Sequence, residues 1–299
     1  MFKKVLVCTD LSETSNVLIS CAGDLKSIGV QEVILAHIDY KIPISPDEEV
    51  VISPDNPLLK EQQSILQEAG LNTTIESVHG IPAHTINLIA EKHNVSAIVI
   101  GSHGKGILKR TTIGSVSGEV LNLAKKPVLL VRVKQDKTQN IVLECKQMSG
   151  HILYLTDFSS TAEKALNYVE KLVQETKCPV SILHVQNYEK LDMALLSFPQ
   201  VELSLIEKIE KQKTKEIQTE LQAIKNRLEK AGSTSVDFDF PEGRAIDVVI
   251  DTIKNKPALS LVVMGSQGKG FVSELFMGSL SLQVTRYSPI PVMLIPAST

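Results

Sequence analysis

The stretch IGSHGKGILKRTTIGSVS, residues Ile100–Ser117, follows a short apolar run and contains four glycines among small polar residues. A second stretch, MGSQGKGFVSELFMGSLS, residues Met264–Ser281, has the same glycine spacing, which reads G-x2-G-x9-G-S in both. Glycine at the end of a strand lets the backbone turn sharply and lets a ligand approach closely, because it has no Cβ. The recurrence predicts that the chain contains two copies of one structural unit.

Other landmarks recur in the same order and support a duplication. Asp10 and His37 of the first copy match Asp157 and His184 of the second, and each pair is separated by 147 positions. The glycine stretches are separated by 164 positions, because the second copy carries an insertion before Gly232. Each unit has the size of an ordinary domain. The sequence therefore predicts a first domain over residues 1–135, a linker over 136–149 and a second domain over 150–299.

Short apolar runs alternate with helix-length segments in each copy. Continuous runs of Val, Ile and Leu are typical of strands buried on both faces, and their alternation with helices indicates right-handed βαβ units. We therefore predict an α/β fold made of two tandem, doubly wound, five-stranded parallel-sheet domains. In the first copy the predicted strands are Val5–Cys8, Glu32–Ile38, Thr73–Val78, Ala97–Ile100 and Val128–Val133. The predicted helices are Ser12–Ile28, Pro57–Ala69, Ala83–His93 and Ser115–Ala124.

The insertion of the second copy predicts a long charged helix, Val201–Ala231. Its apolar residues recur at helical spacing, so they form one stripe along the helix. This stripe either packs on the sheet of its own domain or contacts a partner subunit. Its members are Ile217, Leu221, Ile224 and Leu228.

The glycine stretches lie where a doubly wound sheet binds ligands, beyond the carboxyl ends of its strands. The second glycine pair, Gly114-Ser115, opens the last helix of the first copy, and a helix N-terminus offers unpaired N–H groups and a positive dipole end to phosphate. Ser115 and Ser117, with Ser279 and Ser281 in the second copy, are expected to add hydroxyl donors. Neither GxxxxGK[ST] nor GxGxxG follows a strand, so the pattern predicts a different kind of nucleotide-phosphate cradle. Alternatively, the glycines only make turns and the serines only cap helices.

The spacing G-x2-G-x9-G-[ST] after the fourth strand, together with TDLSETS and TDFSSTA after the first, resembles the universal stress protein family. The resemblance covers essentially the whole chain. It implies the strand order 3-2-1-4-5 in each domain, and ATP binding in members that carry this motif. It also implies that PVLLVRV and PVMLIPA pair within the chain as an intramolecular pseudo-dimer. Formation of a homodimer stays open.

The resemblance assigns candidate binding residues by position. Asp10 and Asp157 are assigned to the adenosine end, although each also suits an N-cap of the following helix. In the first site the candidates are Thr9, Asp10, Ile38, Ile100, Gly101, His103, Gly104, Lys105, Gly114, Ser115, Val116 and Ser117. In the second site they are Thr156, Asp157, Val185, Met264, Gly265, Gly268, Gly278, Ser279, Leu280 and Ser281.

The two loops differ in charge. The first carries Lys105, Lys109 and Arg110, whereas the second carries Lys269, Ser273 and Glu274. A cation near a triphosphate strengthens its binding and a carboxylate weakens it. We therefore expect the first site to hold ATP more tightly and the second to prefer AMP, ADP or no ligand, unless these charges only face solvent.

Several classes of function are disfavoured by composition. The net charge of −3 gives no basic field for nucleic acid, and no apolar run is long enough to cross a membrane or to form a secretory signal, so we expect a cytoplasmic protein. His and Cys lack metal-ligand spacing. His103 is matched by Gln267 in the second copy, which argues against a catalytic role for it. We expect an adenine-nucleotide-binding stress-response protein, a sensor or regulator of unknown protein partner, that binds ATP, ADP or AMP with or without Mg²⁺. A slow ATPase or autophosphorylating protein, and an interaction module with degenerate sites, are the alternatives.

Overall fold

A computed structural model describes residues 2–40, 56–103, 113–135, 141–143, 148–186, 203–268 and 277–297. In the first copy, five strands alternate with helices as the apolar runs predict. The strands are β1 (Lys4–Thr9), β2 (Glu32–Tyr40), β3 (Asn72–Gly80), β4 (Ala97–Gly101) and β5 (Val128–Val131). The helices are α1 (Glu13–Ile19), α2 (Ala22–Ser27), α3 (Pro57–Glu68), α4 (Pro82–Lys92) and α5 (Ser115–Leu123).

The second copy repeats this order after a connecting hairpin. The hairpin pairs β6 (Val133–Gln135) with β7 (Ile141–Leu143) in antiparallel fashion. The strands that follow are β8 (Ile152–Leu155), β9 (Val180–Leu183), β10 (Val236–Asp239), β11 (Leu261–Gly265) and β12 (Val292–Ile295). The helices are α6 (Ser160–Thr176), α7 (Leu203–Ala231), α8 (Ala245–Asn255) and α9 (Ser279–Tyr287).

Both copies contribute to one ten-stranded sheet in the order β10-β9-β8-β11-β12-β5-β4-β1-β2-β3. Each half is parallel and has the order 3-2-1-4-5, which confirms the predicted fold class. The halves meet at β5 and β12, which pair antiparallel with Leu129 opposite Met293. The last strands of the two copies therefore close each other's sheet edge, as predicted for an intramolecular pair.

The antiparallel junction gives the sheet two continuous apolar layers. Successive residues of a strand point to opposite faces, and in β1 Val5 and Val7 join one core while Leu6 and Cys8 join the other. Helices α1, α3, α6 and α7 cover the first face, and α4, α5, α8 and α9 cover the second. Burial on both faces explains why inner strands such as β4, β5, β8 and β12 are unbroken apolar runs.

The long helix α7 packs within its own domain. Leu221 and Leu228 are fully buried in the core, Ile224 is nearly so, and Ile217 packs against it half-buried. Of the two alternatives for the apolar stripe, packing on the domain's own sheet is confirmed. None of the helices in the described ranges is both long and apolar enough to cross a bilayer.

The single helix predicted over Ser12–Ile28 is wrong. The chain forms α1 and α2 instead, with a break at Ser20 and Cys21. The Ser20 hydroxyl donates to the carbonyl of Val17 at 2.7 Å, a local bond that competes with regular helix continuation. In the second copy the matching helix α6 runs unbroken for 17 residues. The strand predicted over Val128–Val133 likewise ends at Val131, and the chain resumes as β6 after Arg132.

Candidate functional site

Each copy forms a cleft at the carboxyl ends of its parallel strands. Because β5 and β12 are antiparallel, the carboxyl ends of the strands point in opposite directions in the two copies, and the two clefts lie on opposite sides of the sheet along the strand direction. The cleft of the first copy, here called cleft one, has a volume of about 440 Å³, and that of the second copy, cleft two, about 200 Å³. Gly104 and Lys105 lie outside the described residues, as do the loop charges that distinguish the copies. Cleft one is lined by the other ten candidates of its copy: Thr9, Asp10, Ile38, Ile100, Gly101, His103, Gly114, Ser115, Val116 and Ser117.

All ten candidates of the second copy line cleft two. They converge there because β8, β9 and β11 end at one edge and α9 begins beside them. The residues are Thr156, Asp157, Val185, Met264, Gly265, Gly268, Gly278, Ser279, Leu280 and Ser281.

Asp10 is fixed by a tight turn between β1 and α1. Leu11 adopts a left-handed backbone, with φ of 61°, and its amide donates to Thr9 Oγ1 at 3.1 Å. This turn brings Asp10 Oδ1 to the Ser12 amide at 3.1 Å and to the Ser12 and Ser15 hydroxyls at 2.5 Å each. One carboxylate oxygen thus receives three donors, which set the orientation of the side chain at the mouth of the cleft.

The alternative interpretation of Asp10, as the N-cap of the following helix, is wrong. Ser12 is the N-cap of α1 and accepts from the Ser15 amide at 3.3 Å, and Asp10 in turn accepts from Ser12. In the second copy Ser159 caps α6, and Asp157 Oδ1 accepts from the Ser159 amide at 3.0 Å. The aspartates stand two residues before the caps, so in each copy capping falls on a serine and not on the aspartate.

The turn of the second copy is built in the same way, with one hydroxyl replaced. Phe158 is left-handed, with φ of 58°, and its amide donates to Thr156 Oγ1 at 3.0 Å. Ala162 occupies the position that corresponds to Ser15, so it supplies no hydroxyl to Asp157. A histidine binds the end of the first strand in each copy; His37 lies on β2, and His184 directly follows β9. The Nδ1 of His37 donates to the Thr9 carbonyl at 3.1 Å, and that of His184 to the Thr156 carbonyl at 2.9 Å.

The N-terminus of α5 faces cleft one. Gly114 is its N-cap, with φ of −57° and ψ of 151°, and no side chain in the described part of the chain caps this end. The Gly114 amide is held by the Ser102 carbonyl at 2.9 Å, which anchors the start of the helix to the end of β4. Ser115 at the first helical position is exposed, whereas Ser117 is buried. An uncapped helix start of this kind is a suitable site for an anion.

Ser117 and Ser281 do not present free hydroxyl donors to a ligand, contrary to the expectation from sequence. Ser117 Oγ donates to the Gly101 carbonyl at 2.7 Å, and Ser281 Oγ donates to the Gly265 carbonyl at 3.0 Å. These bonds tie the first turn of the last helix to the end of the fourth strand in each copy. The serines therefore shape the clefts by holding the two backbone segments together.

The matching glycines at the ends of β4 and β11 have different neighbours. A Cβ on Gly101 would meet the His103 carbonyl oxygen at 3.2 Å, whereas one on Gly265 would meet the Thr161 methyl at 2.8 Å and its backbone carbonyl carbon at 3.0 Å. A Cβ on Gly268 would lie 2.5 Å from Asp157 Oδ2. The start of the second loop thus lies directly over the Asp157 carboxylate, which occupies space in cleft two.

Cys8 is one of several cleft residues that the sequence reasoning missed. It lies next to the last residue of β1, and burial raises the pKa of its thiol to about 12, so the sulfur is uncharged at neutral pH. Pro82 opens α4 just beyond β3, a carboxyl-end position from which its place could have been inferred. The missed residues of cleft one are Cys8, Thr14, Ser15, Leu18, Pro82, Ile86 and Ile113. Those of cleft two are Leu155, Ala162, Leu183, Ala245, Val249 and Gln267.

Metal-ligating groups do not cluster in the described ranges, where no three His, Cys, Asp or Glu side chains could hold one ion. Asp10 is the single carboxylate among the described residues that line cleft one. The arrangement offers anion binding at the helix start, one carboxylate acceptor and an apolar wall.

Comparison with known proteins places both copies in one family. A model of the universal stress protein family matches residues 1–132 and 148–296. Universal stress protein MJ0577 of Methanocaldococcus jannaschii is 32% identical over 157 residues, which cover 45% of this chain and 97% of that protein. Universal stress protein YxiE of Bacillus subtilis is 32% identical over 148 residues, or 44% of this chain and 100% of that protein. A solved universal stress protein from Archaeoglobus fulgidus covers 99% of both chains with a TM-score of 0.69 at 23% identity, a similarity of fold.

Proposed function

The chain belongs to the universal stress protein family, and from this premise we propose that it binds an adenine nucleotide in cleft one and acts as a sensor or regulator. The observation that carries the proposal is the uncapped start of α5 at Gly114, which faces a cleft of about 440 Å³. Small-molecule sites commonly have volumes of about 300–1,000 Å³, so this cleft is large enough for a mononucleotide.

The chemistry of cleft one suits the parts of such a ligand. The amides at the start of α5 and the positive end of its dipole favour phosphate, and in this proposal Ser115, Val116 and Ser117 contribute them. The fixed Asp10 carboxylate accepts hydrogen bonds from ribose hydroxyls or from an exocyclic amine. Ile38 and Ile100 supply apolar wall for a base, because both line the same cleft.

Cleft two is proposed to bind nucleotide more weakly. Its volume of about 200 Å³ falls below the usual range, and Gly268 lies over the Asp157 carboxylate. Together with the charge difference of the loops, this supports a preference for AMP, ADP or no ligand in the second copy. ATP in cleft one and a smaller or absent ligand in cleft two is the expected pattern.

A sensor or regulator is favoured over a fast catalyst by the donor set. Hydrolysis of ATP requires a positioned water and neutralisation of developing charge, usually by Mg²⁺ held on carboxylates. Among the described residues of cleft one, Asp10 alone has a carboxylate, and its Oδ1 already accepts three hydrogen bonds. Phosphate release from ATP at a rate that Gly114→Val abolishes would instead support the slow ATPase.

Binding is tested by calorimetric titration of ATP, ADP and AMP into the full chain and into Gly114→Val. A valine at the helix start places a branched side chain where the phosphate would lie, so this variant should lose binding at cleft one. The matched control is Gly118→Val one turn later on the same helix, where a Cβ meets no atom within 4 Å, and it should bind as the parent does. Absence of saturable binding in the parent, or equal binding in parent and Gly114→Val, would refute the proposal and favour an interaction module.

A further inference from the structure

Arg132 is a buried cation at the junction of the two copies. It follows the last residue of β5, and only 2% of it is exposed. Its Nη1 donates to the carbonyl of Thr285 at 3.2 Å and its Nη2 to the carbonyl of Arg286 at 3.0 Å. Both carbonyls lie in the last turn of α9, where helix carbonyls lack partners within the helix and the dipole is negative. A residue of the first copy therefore caps a helix of the second.

The other end of α9 forms part of cleft two. Gly278 is its N-cap, and residues Ser279–Ser281 line the cleft. The helix has nine residues and is therefore about 14 Å long, short enough to move as a rigid body. Arg132 thus holds one end of the same element whose other end is offered to a ligand.

Ser102 connects Arg132 to cleft one. It is fully buried, and its amide donates to the Val131 carbonyl at 2.9 Å while its Oγ lies 3.5 Å from the Val133 amide. Its own carbonyl accepts from the Gly114 amide at 2.9 Å. The residues on both sides of Arg132 are therefore bonded to the residue that positions the start of α5.

The corresponding position of the second copy has a different kind of residue. Pro296 follows the last residue of β12 just as Arg132 follows that of β5. A proline side chain has no hydrogen-bond donor, so it cannot cap carbonyls of α5. The junction of the described strands is thus asymmetric, although the strands themselves pair symmetrically.

We propose that Arg132 is a positioning residue that couples the two clefts, so that a nucleotide phosphate bound at the start of α5 tightens nucleotide binding in cleft two. The coupling rests on the proposed function of both clefts. A phosphate at Gly114 orders the backbone around Ser102, and this backbone holds Arg132 against the end of α9. The start of α9 is thereby ordered before a ligand binds in cleft two. A ligand that binds to an already ordered site loses less conformational entropy, which gives positive cooperativity. By linkage, occupancy of cleft two tightens cleft one by the same factor.

The test is calorimetric titration of AMP into four full-length chains: the parent, Gly114→Val, and each of these with Arg132→Met. The ratio of the cleft-two dissociation constants of Gly114→Val and the parent is the coupling factor. We expect a factor of about five or more with Arg132 and close to one with Arg132→Met. Arg227→Met is the matched control, because it also removes a guanidinium, in this case from the second copy. Arg227 binds Glu163 and Glu170 and lines neither cleft. The variant should keep the parental factor.

Hydrogen exchange of the α9 amides in the absence of ligand is the second measurement. Arg132→Met should speed exchange of this helix, Arg132→Lys should retain part of the protection and of the coupling factor, and Arg227→Met should leave both unchanged. Equal coupling in the parent and Arg132→Met, a parental factor of one, or unchanged exchange in Arg132→Met would overturn the coupling. Absence of any saturable AMP binding to the parent would refute the proposed function instead. If Arg132→Met does not fold, Arg132→Lys carries the comparison.

Discussion

Alanine in place of Gly265 should destabilise the protein, whereas alanine in place of the matching Gly101 should not. Both glycines end the fourth strand of their copy, and neither has a left-handed backbone. A new Cβ at position 265 would lie 2.8 Å from the Thr161 methyl and 3.0 Å from its backbone, inside the first turn of α6. At position 101 the nearest atom is a carbonyl oxygen at 3.2 Å, which needs to shift by only a few tenths of an ångström.

The expected magnitudes follow from these contacts. Overpacking a rigid core site costs about 1–3 kcal/mol, and α6 cannot move away because Thr161 and its neighbours pack on the sheet. Replacing a strand glycine by alanine gains about 0.5–1 kcal/mol in backbone entropy at either position. Gly265→Ala should therefore lower the free energy of unfolding by about 1–2 kcal/mol, while Gly101→Ala should leave it within about 0.5 kcal/mol of the parent.

Urea unfolding followed by far-UV circular dichroism measures both variants, and thermal melts provide a second reading. Adding Thr161→Ser to Gly265→Ala removes the clashing methyl and should recover part of the loss, which a double-mutant cycle quantifies. Equal effects of the two alanines, or no recovery with Thr161→Ser, would show that the close contact with α6 is not what requires glycine at position 265.

Three further outcomes are expected. Ser117→Ala removes the hydroxyl that binds the Gly101 carbonyl and should lower the free energy of unfolding by about 1 kcal/mol, as measured by urea titration. An unchanged free energy of unfolding would mean that this bond does not hold α5 to β4. Burial disfavours the charged carboxylate of Glu76, but hydrogen bonds from His93 and Lys92 outweigh this effect and lower its pKa below 4.5. The stabilisation from Glu76 is therefore present above that pH and is lost as the pH falls through the lowered pKa. Glu76→Gln should flatten the decline of the free energy of unfolding between pH 5 and 3 in chemical unfolding, and an unchanged slope would contradict this. Burial raises the pKa of the Cys8 thiol to about 12. Iodoacetamide at pH 8 should therefore label Cys8 far more slowly in the native chain than in urea, as measured by peptide mass spectrometry. Similar labelling rates would show that the thiol is accessible and ionised.

The fold was predictable because its signals are strong and repeated. Largely apolar segments of four to seven residues, separated by helix-length segments, indicate a parallel sheet, and the duplication gave each prediction a second example. The break between α1 and α2 was not predictable, because the sequence pattern over Ser12–Ile28 is that of one continuous helix. The hairpin of β6 and β7 was also missed, because its strands have only three residues each.

The site was predictable in its place but not in its bonding. Strand ends and glycine spacing located most of the residues around each cleft, since carboxyl ends of parallel strands converge. The roles of Ser117 and Ser281 were misjudged, because sequence cannot show whether a hydroxyl is already used by a neighbouring carbonyl. Cys8 was missed for a related reason, because a weakly polar residue lines a cleft without a spacing that marks it. Pro82 was missed although its position just beyond β3 indicates it.

The two copies share hydrogen bonds that stabilise the fold, so their common glycine spacing does not by itself show that both clefts bind a ligand. His37 and His184 bind the end of the first strand in the same way, and Ser117 and Ser281 bind the end of the fourth. These contacts maintain the fold whether or not a ligand is present, so the common spacing is evidence of one architecture rather than of two equal sites. The copies differ at two side chains that line the clefts, Ser15 against Ala162 and Cys8 against Leu155. They also differ at the junction of the last strands, where Arg132 is matched by Pro296. Because these positions are free to change without loss of the sheet, any functional difference between the clefts should be determined there. Nucleotide affinity therefore has to be measured for each cleft separately.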